Sequence, residues 1–252
     1  IYLGFPDMWL LPKKKKKSGW LAFGYQPEGI CVAHVRRAPN GKPQVSFCMA
    51  AEEGAADAHA LEHLAKELHA AKYHCTTLLR PSEYQMLLVD APNAPPDEMK
   101  AAIRWRIKDM LDYHVDDATV DVLDIQPEKS LPVKNHSMYA IAARNHVIEQ
   151  RQAVFEAAKI QLSVIDIPEM AQRNVAALFE SPDKATAMLA FSSCGGLLTI
   201  SIHGELLMTR RLEVTSVQLG QMEHGDHYRE RVATELTRSL EMFERQRLSV
   251  GV

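Results

Sequence analysis

Residues 187–214, AMLAFSSCGGLLTISIHGELLMTRRLEV, decide how the chain is read. Three aliphatic and β-branched runs of strand length are separated by two small-residue clusters, Ser192 to Gly196 and His203-Gly204, which is the pattern of a β-meander. An earlier stretch, residues 20–49, WLAFGYQPEGICVAHVRRAPNGKPQVSFCM, follows the same plan, with its first turn inside 24–29 and its second at Asn40-Gly41. Both copies open on Leu-Ala-Phe (Leu21, Ala22, Phe23 and Leu189, Ala190, Phe191) and run straight into a small-residue turn. An amphipathic helix follows each, over 58–72 and 228–247. A strand–turn–strand–turn–strand–helix unit that recurs once, far apart, points to two lobes made on one design.

The 252 residues, 46% hydrophobic and 24% charged, suit a soluble globular protein with room for two lobes. A formal net charge of -3 gives no basis for bulk nucleic-acid binding, so no nucleic-acid partner is expected. Cys31, Cys48, Cys75 and Cys194 have no CxxC spacing and sit in or beside apolar stretches, which reads as reduced thiols of a cytoplasmic protein. No apolar run reaches the roughly 18 to 20 residues of a membrane span, so membrane association would be peripheral or through a partner. At the N-terminus Met8-Trp9-Leu10-Leu11 leads into Lys13, Lys14, Lys15, Lys16 and Lys17. Such a cluster is either a contact for the anionic inner-membrane surface or a solvated basic arm.

Between the meanders the periodicity alternates. Strands are expected over 75–79 and 84–89, and a proline-rich connector over 91–96 leads to a helix over 97–111. Its apolar stripe is Met99, Ala102, Ile103, Ile107, Met110 and Leu111; Lys100, Arg104 and Lys108 lie away from the stripe and Trp105 falls off it. Strands over 120–125 and 138–142, a helix over 145–159 and a strand over 160–167 complete a β-α-β-β-α-β order. The expected organisation is a basic arm over 1–19, a first lobe over 20–83, an inserted subdomain over 84–160, a return to the first lobe and linker over 161–184, and a second lobe over 185–252. That second lobe holds one meander and one helix, less than a covered α/β lobe needs, and reads as incomplete. His59 and His63 form an H-x-x-E-H pattern, but helical spacing turns both away from the Leu61/Leu68 stripe, toward solvent, so no metal site is expected there.

In this order and spacing, the Lys-rich start with GWLAFGYQPEGI (19–30), PPDEMKAAIRWRIKDMLDYHVDDATVDVLDI (95–125), YAIAARNHVIEQRQAVFEAAKIQLSVIDI (139–167) and ELTRSLEMFERQ (235–246) resemble the actin-like ATPase superfamily, in its bacterial PilM/FtsA branch. Within that branch they are most similar to biogenesis proteins of mannose-sensitive haemagglutinin (MSHA) type IV pili. The resemblance implies an α/β, actin-like (ribonuclease H-like) two-lobe fold with an inserted βαββαβ-type subdomain and a phosphate-binding turn in each lobe. In active members each turn opens on an aspartate; here Ala22 precedes Phe23-Gly24, and Ala190 precedes Phe191, Ser192, Ser193, Cys194, Gly195 and Gly196. Ala22, Gly24, Ala190, Ser192, Gly195 and Gly196 are therefore read as vestigial phosphate turns. Hard divalent ions need oxygen ligands, which alanine does not offer, so neither ATP with magnesium nor a catalytic residue is expected. The resemblance also implies partners: a short segment of a PilN-like membrane-spanning pilus assembly protein and, through it, the assembly ATPase complex. Arg104 and Trp105 are the candidate partner contacts, since Arg and Trp are common interface anchors. The competing readings are a divergent actin-like ATPase, a protein held on lipid by its N-terminal arm, and the cytoplasmic domain of a type II secretion GspL-like protein.

Overall fold

Strand β1 (Trp20–Gln26) buries Leu21 and Phe23, each 1% exposed, and turns Ala22 and Gly24 to the opposite face of its sheet. The computed structural model to which it belongs describes residues 19–26, 29–50, 58–125, 137–181, 184–221 and 225–250. The chain divides into two compact units, Ile1–Leu123 with Ser137–Pro168, and Asp124–His136 with Glu169–Val252.

In the first unit β1 pairs antiparallel with β2 (Gly29–Arg37), and β2 antiparallel with β3 (Pro43–Ala50). Asn40-Gly41 lies in the β2–β3 connection, where Gly41 takes φ 80°. His34 opposes Phe47 and Val35 opposes Val45, so Ser46 is an extra residue, a bulge in the outermost strand. Helix α1 (Ala58–Glu67) buries Leu61, Leu64 and Ala65 and, after a 3-10 turn at Ala70–Lys72, leads into β4 (His74–Leu78), parallel to β1. Next come β5 (Tyr84–Asp90), α2 (Met99–Ile107), a 3-10 turn at Val115–Asp117, β6 (Ala118–Asp124) and β7 (Ser137–Arg144). These form a separate three-stranded sheet of order β5-β7-β6, on which Ile103 and Ile107 of α2 pack against Val89, Met138, Ala140 and Ala142.

Helix α3 (Asn145–Ala157) and strand β8 (Leu162–Asp166) complete the β-α-β-β-α-β order read from the sequence, but both lie on the first sheet. Phe155 meets Phe23 edge-on at 5.6 Å, and β8 pairs in parallel with β4 to give the order β3-β2-β1-β4-β8. The span 84–160 expected for the inserted subdomain includes this helix. A strand parallel to its neighbour needs a crossover, and α3 is the element that supplies it.

The second unit carries α4 (Pro168–Ala176), the meander β9 (Thr186–Ser192), β10 (Gly195–Ile202) and β11 (Glu205–Leu212), the short α5 (Ser216–Leu219) and the long α6 (Gly225–Val250). The order is β11-β10-β9, all antiparallel. His203 and Gly204 both take positive φ, 51° and 75°, as a two-residue primed turn requires. Ile200, Met208 and Phe243 form a core cluster between the sheet and α6. Gln172 of α4, nearly buried, donates to the Met188 carbonyl at 2.7 Å and the Leu197 carbonyl at 3.0 Å, pinning that helix to the meander. Buried Glu169 accepts from Arg211 at 2.7 Å. Among the described residues no helix is long and apolar enough to cross a membrane.

Candidate functional site

Of the two turns read as vestigial phosphate sites, the first is flanked by the pair Gln26 and Gly29, with Pro27 and Glu28 outside the described residues. Ala22 is half-buried and stands abreast of Ala33 on β2 and Thr76 on β4. The sheet face where the resemblance places an aspartate thus presents two alanine methyl groups and one threonine side chain at this level. Gly24 opposes Cys31, and a Cβ there would meet nothing closer than the Cys31 carbonyl at 3.9 Å.

In the second turn Gly195 pairs with Ser192 across Ser193 and Cys194. The Ser192 hydroxyl accepts from the Cys194 amide at 3.1 Å and donates to the Gly195 carbonyl at 3.2 Å, which commits that amide within the turn. Gly195 takes φ 126°, and a Cβ would stand 2.8 Å from the Leu212 carbonyl oxygen. Gly196 has a packing reason for lacking a side chain: its Cβ position is 2.6 Å from the Phe191 ring and 3.2 Å from Leu212 Cβ. Ala190 opposes Leu197. The donor set at Ala22 and Ala190 does not fit magnesium, which wants carboxylate oxygens. Among the described residues no group of three or more His, Cys, Asp or Glu side chains is placed to hold a metal ion, and His59 and His63 are exposed on α1.

An ion-pair network lies at the ends of β1 and β4. Arg151 of α3 donates Nη2 to both Glu83 oxygens, at 2.9 and 2.7 Å, and Nη1 to the Leu78 carbonyl at 3.1 Å. Its guanidinium stands 4.9 Å from the centre of the Tyr25 ring. Glu83 also accepts from the Arg80 amide at 2.7 Å and from Arg80 Nη2 at 2.8 Å. Burial would raise the Glu83 carboxyl, but the backbone and side-chain hydrogen bonds from Arg80 and the charges of Arg151 and Arg80 outweigh it and hold the group below its usual value. Burial pushes the Tyr25 phenol up against the opposing pull of Arg151. Sequence spacing shows none of this, because the partners are 68 positions apart. The one local signal is the three-residue spacing of Arg80 and Glu83.

Arg104 and Trp105, neighbours in sequence, have different fates. Arg104 donates to the Ala118 and Val115 carbonyls, both at 2.7 Å, and so fastens the 3-10 turn and the start of β6 to α2. Trp105 is 72% exposed, with Lys108 Nζ 5.4 Å from its ring centre. Beside it is a groove of about 490 Å³ lined by Ala101, Lys108, His114 and Val115 among others, within the range of peptide- and ligand-sized clefts. Arg104 contributes to the wall of this groove while its donors are engaged within the chain. Lys13, Lys14, Lys15, Lys16 and Lys17 lie outside the described residues.

Residues 52–221 match the model of a protein family, type IV pilus assembly protein PilM. A chain of a solved PilM-PilN type IV pilus biogenesis complex superposes with a TM-score of 0.71 at 18% identity, covering 93% of this chain and 79% of that one. The cytoplasmic domain of EpsL, an inner-membrane component of the type II secretion system of Vibrio cholerae, superposes with a TM-score of 0.55 at 12% identity, over 82% of this chain and 79% of that one. No protein of curated function matches the chain. At these identities the structures speak for the fold, and the actin-like α/β fold expected from the sequence is the one the chain has.

Proposed function

The chain belongs to the family of the type IV pilus assembly protein PilM, and on that premise we propose that it is a non-catalytic cytoplasmic adaptor in the inner-membrane assembly platform of a type IV pilus. It binds a short cytoplasmic segment of a PilN-like membrane-spanning protein, and through that protein couples to the assembly ATPase complex. The finer reading is an MshI-type protein of the MSHA pilus, which rests on the order and spacing of the segments 19–30, 95–125, 139–167 and 235–246 taken together. The observation that carries the adaptor reading is Trp105, 72% exposed beside the groove on α2 of a helix otherwise anchored by Ile103 and Ile107. An indole in that position is the kind of anchor that dominates protein interfaces. The non-catalytic part is supported by alanine at 22 and 190, by the Ser192 hydroxyl closing its own turn, and by the Phe191 ring filling the space at Gly196.

Calorimetric titration with the cytoplasmic peptide of the PilN-like partner tests the reading. Trp105→Ala is expected to weaken binding by about tenfold or more while leaving the melting curve unchanged. Unaltered affinity would remove the groove from the interface, and absence of binding by the natural chain would remove the adaptor role. Phosphate release from ATP and magnesium is expected to stay at background, with a variant carrying Ala22→Asp and Ala190→Asp as control; turnover in the natural chain would favour the divergent-ATPase reading. The fold shared with the EpsL domain motivates a second reading, a type II secretion GspL-like role. Preferential co-purification with a secretion ATPase over a pilus ATPase would favour it.

A further inference from the structure

The parallel strands β1, β4 and β8 begin at one end of the five-stranded sheet, where Trp20 lies abreast of His74 and Cys75 abreast of Leu162. There β2 finishes and β3 starts, with Val35 opposite Trp20 and Arg37 opposite Pro43. The α1 and α3 helices hand the chain to β4 and β8 at this same end. The topology therefore brings exposed Arg36, Arg37 and Lys42 to one side of the end, and exposed Lys66, Lys72 and Lys159 to the other. Glu62 engages Lys66 at 2.9 Å and lies 3.9 Å from Lys159, whereas among the described residues no carboxylate pairs with Arg36, Arg37, Lys42 or Lys72. The formal net charge of the chain is -3, so composition does not explain this concentration of cations.

Two further features share the end. A pocket of about 300 Å³ has alanine walls, Ala65, Ala71 and Ala158, and is rimmed by Lys66, Lys72, Lys159 and His69. Trp20, 41% exposed, packs on His74 with ring centres 5.1 Å apart and the planes tilted by 30°. Indoles at this kind of half-wet position are enriched at the headgroup level of membranes, and Lys/Arg near an anionic leaflet are each attracted to it.

We propose that this end of the first sheet docks on an anionic bilayer surface, with lipid phosphate groups among the lysines of the pocket and Trp20 at headgroup depth. The cations spread across five strands, about 19 Å at ordinary strand spacing. That breadth favours a charged surface over a single extended acidic peptide, which would need a continuous groove. The inference is independent of the partner-binding reading, which concerns the Trp105 face of α2.

Co-sedimentation with vesicles tests it, using the full chain, phosphatidylcholine alone or mixed with phosphatidylglycerol, and low or high salt. The natural chain is expected to sediment with the anionic vesicles only, and to be released by salt. A variant with Arg36→Gln, Arg37→Gln, Lys42→Gln and Lys72→Gln is expected to lose about tenfold or more of that partitioning. A charge-preserving variant with Arg36→Lys, Arg37→Lys and Lys72→Arg keeps it, which separates charge from folding. A variant with Lys13, Lys14, Lys15, Lys16 and Lys17 changed to Gln retains salt-sensitive binding. The proposal is overturned if the four Gln changes leave binding intact, if the arm variant abolishes it, or if an acidic peptide or oligonucleotide is bound while anionic vesicles are not.

Discussion

Replacing Glu83 by Gln removes one charge from the Arg151–Glu83 pair and leaves the guanidinium in place. The two side chains are 9% and 12% exposed, and their atoms approach to 2.7 Å. Breaking one partner of such a buried pair costs about 3–5 kcal/mol, because the remaining charge is left uncompensated. Gln keeps the shape and one acceptor oxygen, and solvent at the rim screens part of the loss, so we take about 3 kcal/mol, the bottom of that range. For a protein of this size each kcal/mol moves Tm by about 2–4 °C, which predicts a drop of about 6–12 °C by circular dichroism. The pH dependence has a definite sign. A carboxyl held below its usual value in the folded state contributes stability that is fully present above the unfolded pKa and is lost as pH falls through the folded one. The gap between natural chain and variant is therefore complete at neutral pH, begins to shrink near the unfolded carboxyl's value of about 4.3, and closes only as pH falls through the lowered folded one. Replacing both partners by apolar side chains, Glu83→Leu with Arg151→Met, should recover only part of the loss, because the Arg80 amide and the Leu78 carbonyl lose their side-chain partners. A Glu83→Gln variant within about 0.5 kcal/mol of the natural chain, or a gap that persists unchanged into acid, would refute the account.

Two other substitutions separate structural from functional explanations. Gly196→Ala should cost about 1–3 kcal/mol in urea unfolding, since the added Cβ runs into the Phe191 ring, and Phe191→Leu in the same chain should return part of it. Arg104→Gln should lose about 2 kcal/mol and speed amide exchange in Val115–Asp117, because both carbonyl bonds of the guanidinium go with it.

The local architecture was legible to the extent that it is written in neighbouring residues. Alternation puts Leu21 and Phe23 inward and Ala22 outward, and Asn40-Gly41 and His203-Gly204 mark turns that need positive φ, so both meanders can be read directly. The stripe of α2 likewise predicts the burial of Ile103 and Ile107, whereas for Trp105, which falls off it, spacing favours packing within the chain and the structure leaves the indole 72% exposed. What an apolar stripe does not say is which surface receives it. Helix α3 falls within the span 84–160, yet Phe155 packs on Phe23, a residue from the opening strand. Polar partners were equally hidden: Arg104 spends its donors on carbonyls, and Gln172 reaches across to Met188 and Leu197, because hydrogen bonds between backbone and side chain leave no periodicity. Glycines 195 and 196 look the same as a phosphate loop in sequence; only the positions of Phe191 and the Leu212 carbonyl show that close packing by itself asks for glycine at both.

Strand β3, PQVSFCMA, has no charged residue and closes one side of its sheet. A flat neutral border of that kind invites a second polypeptide to add on and, by repetition, to grow fibrils. Ser46 breaks the regular spacing of its main-chain groups midway, and Pro43 withholds a donor where the strand begins. An incoming strand would find matching groups only over a short remnant beyond the break. The β3 side of this sheet is thereby insulated against runaway extension, and any ordered stacking of copies along it must be built from side-chain surfaces instead.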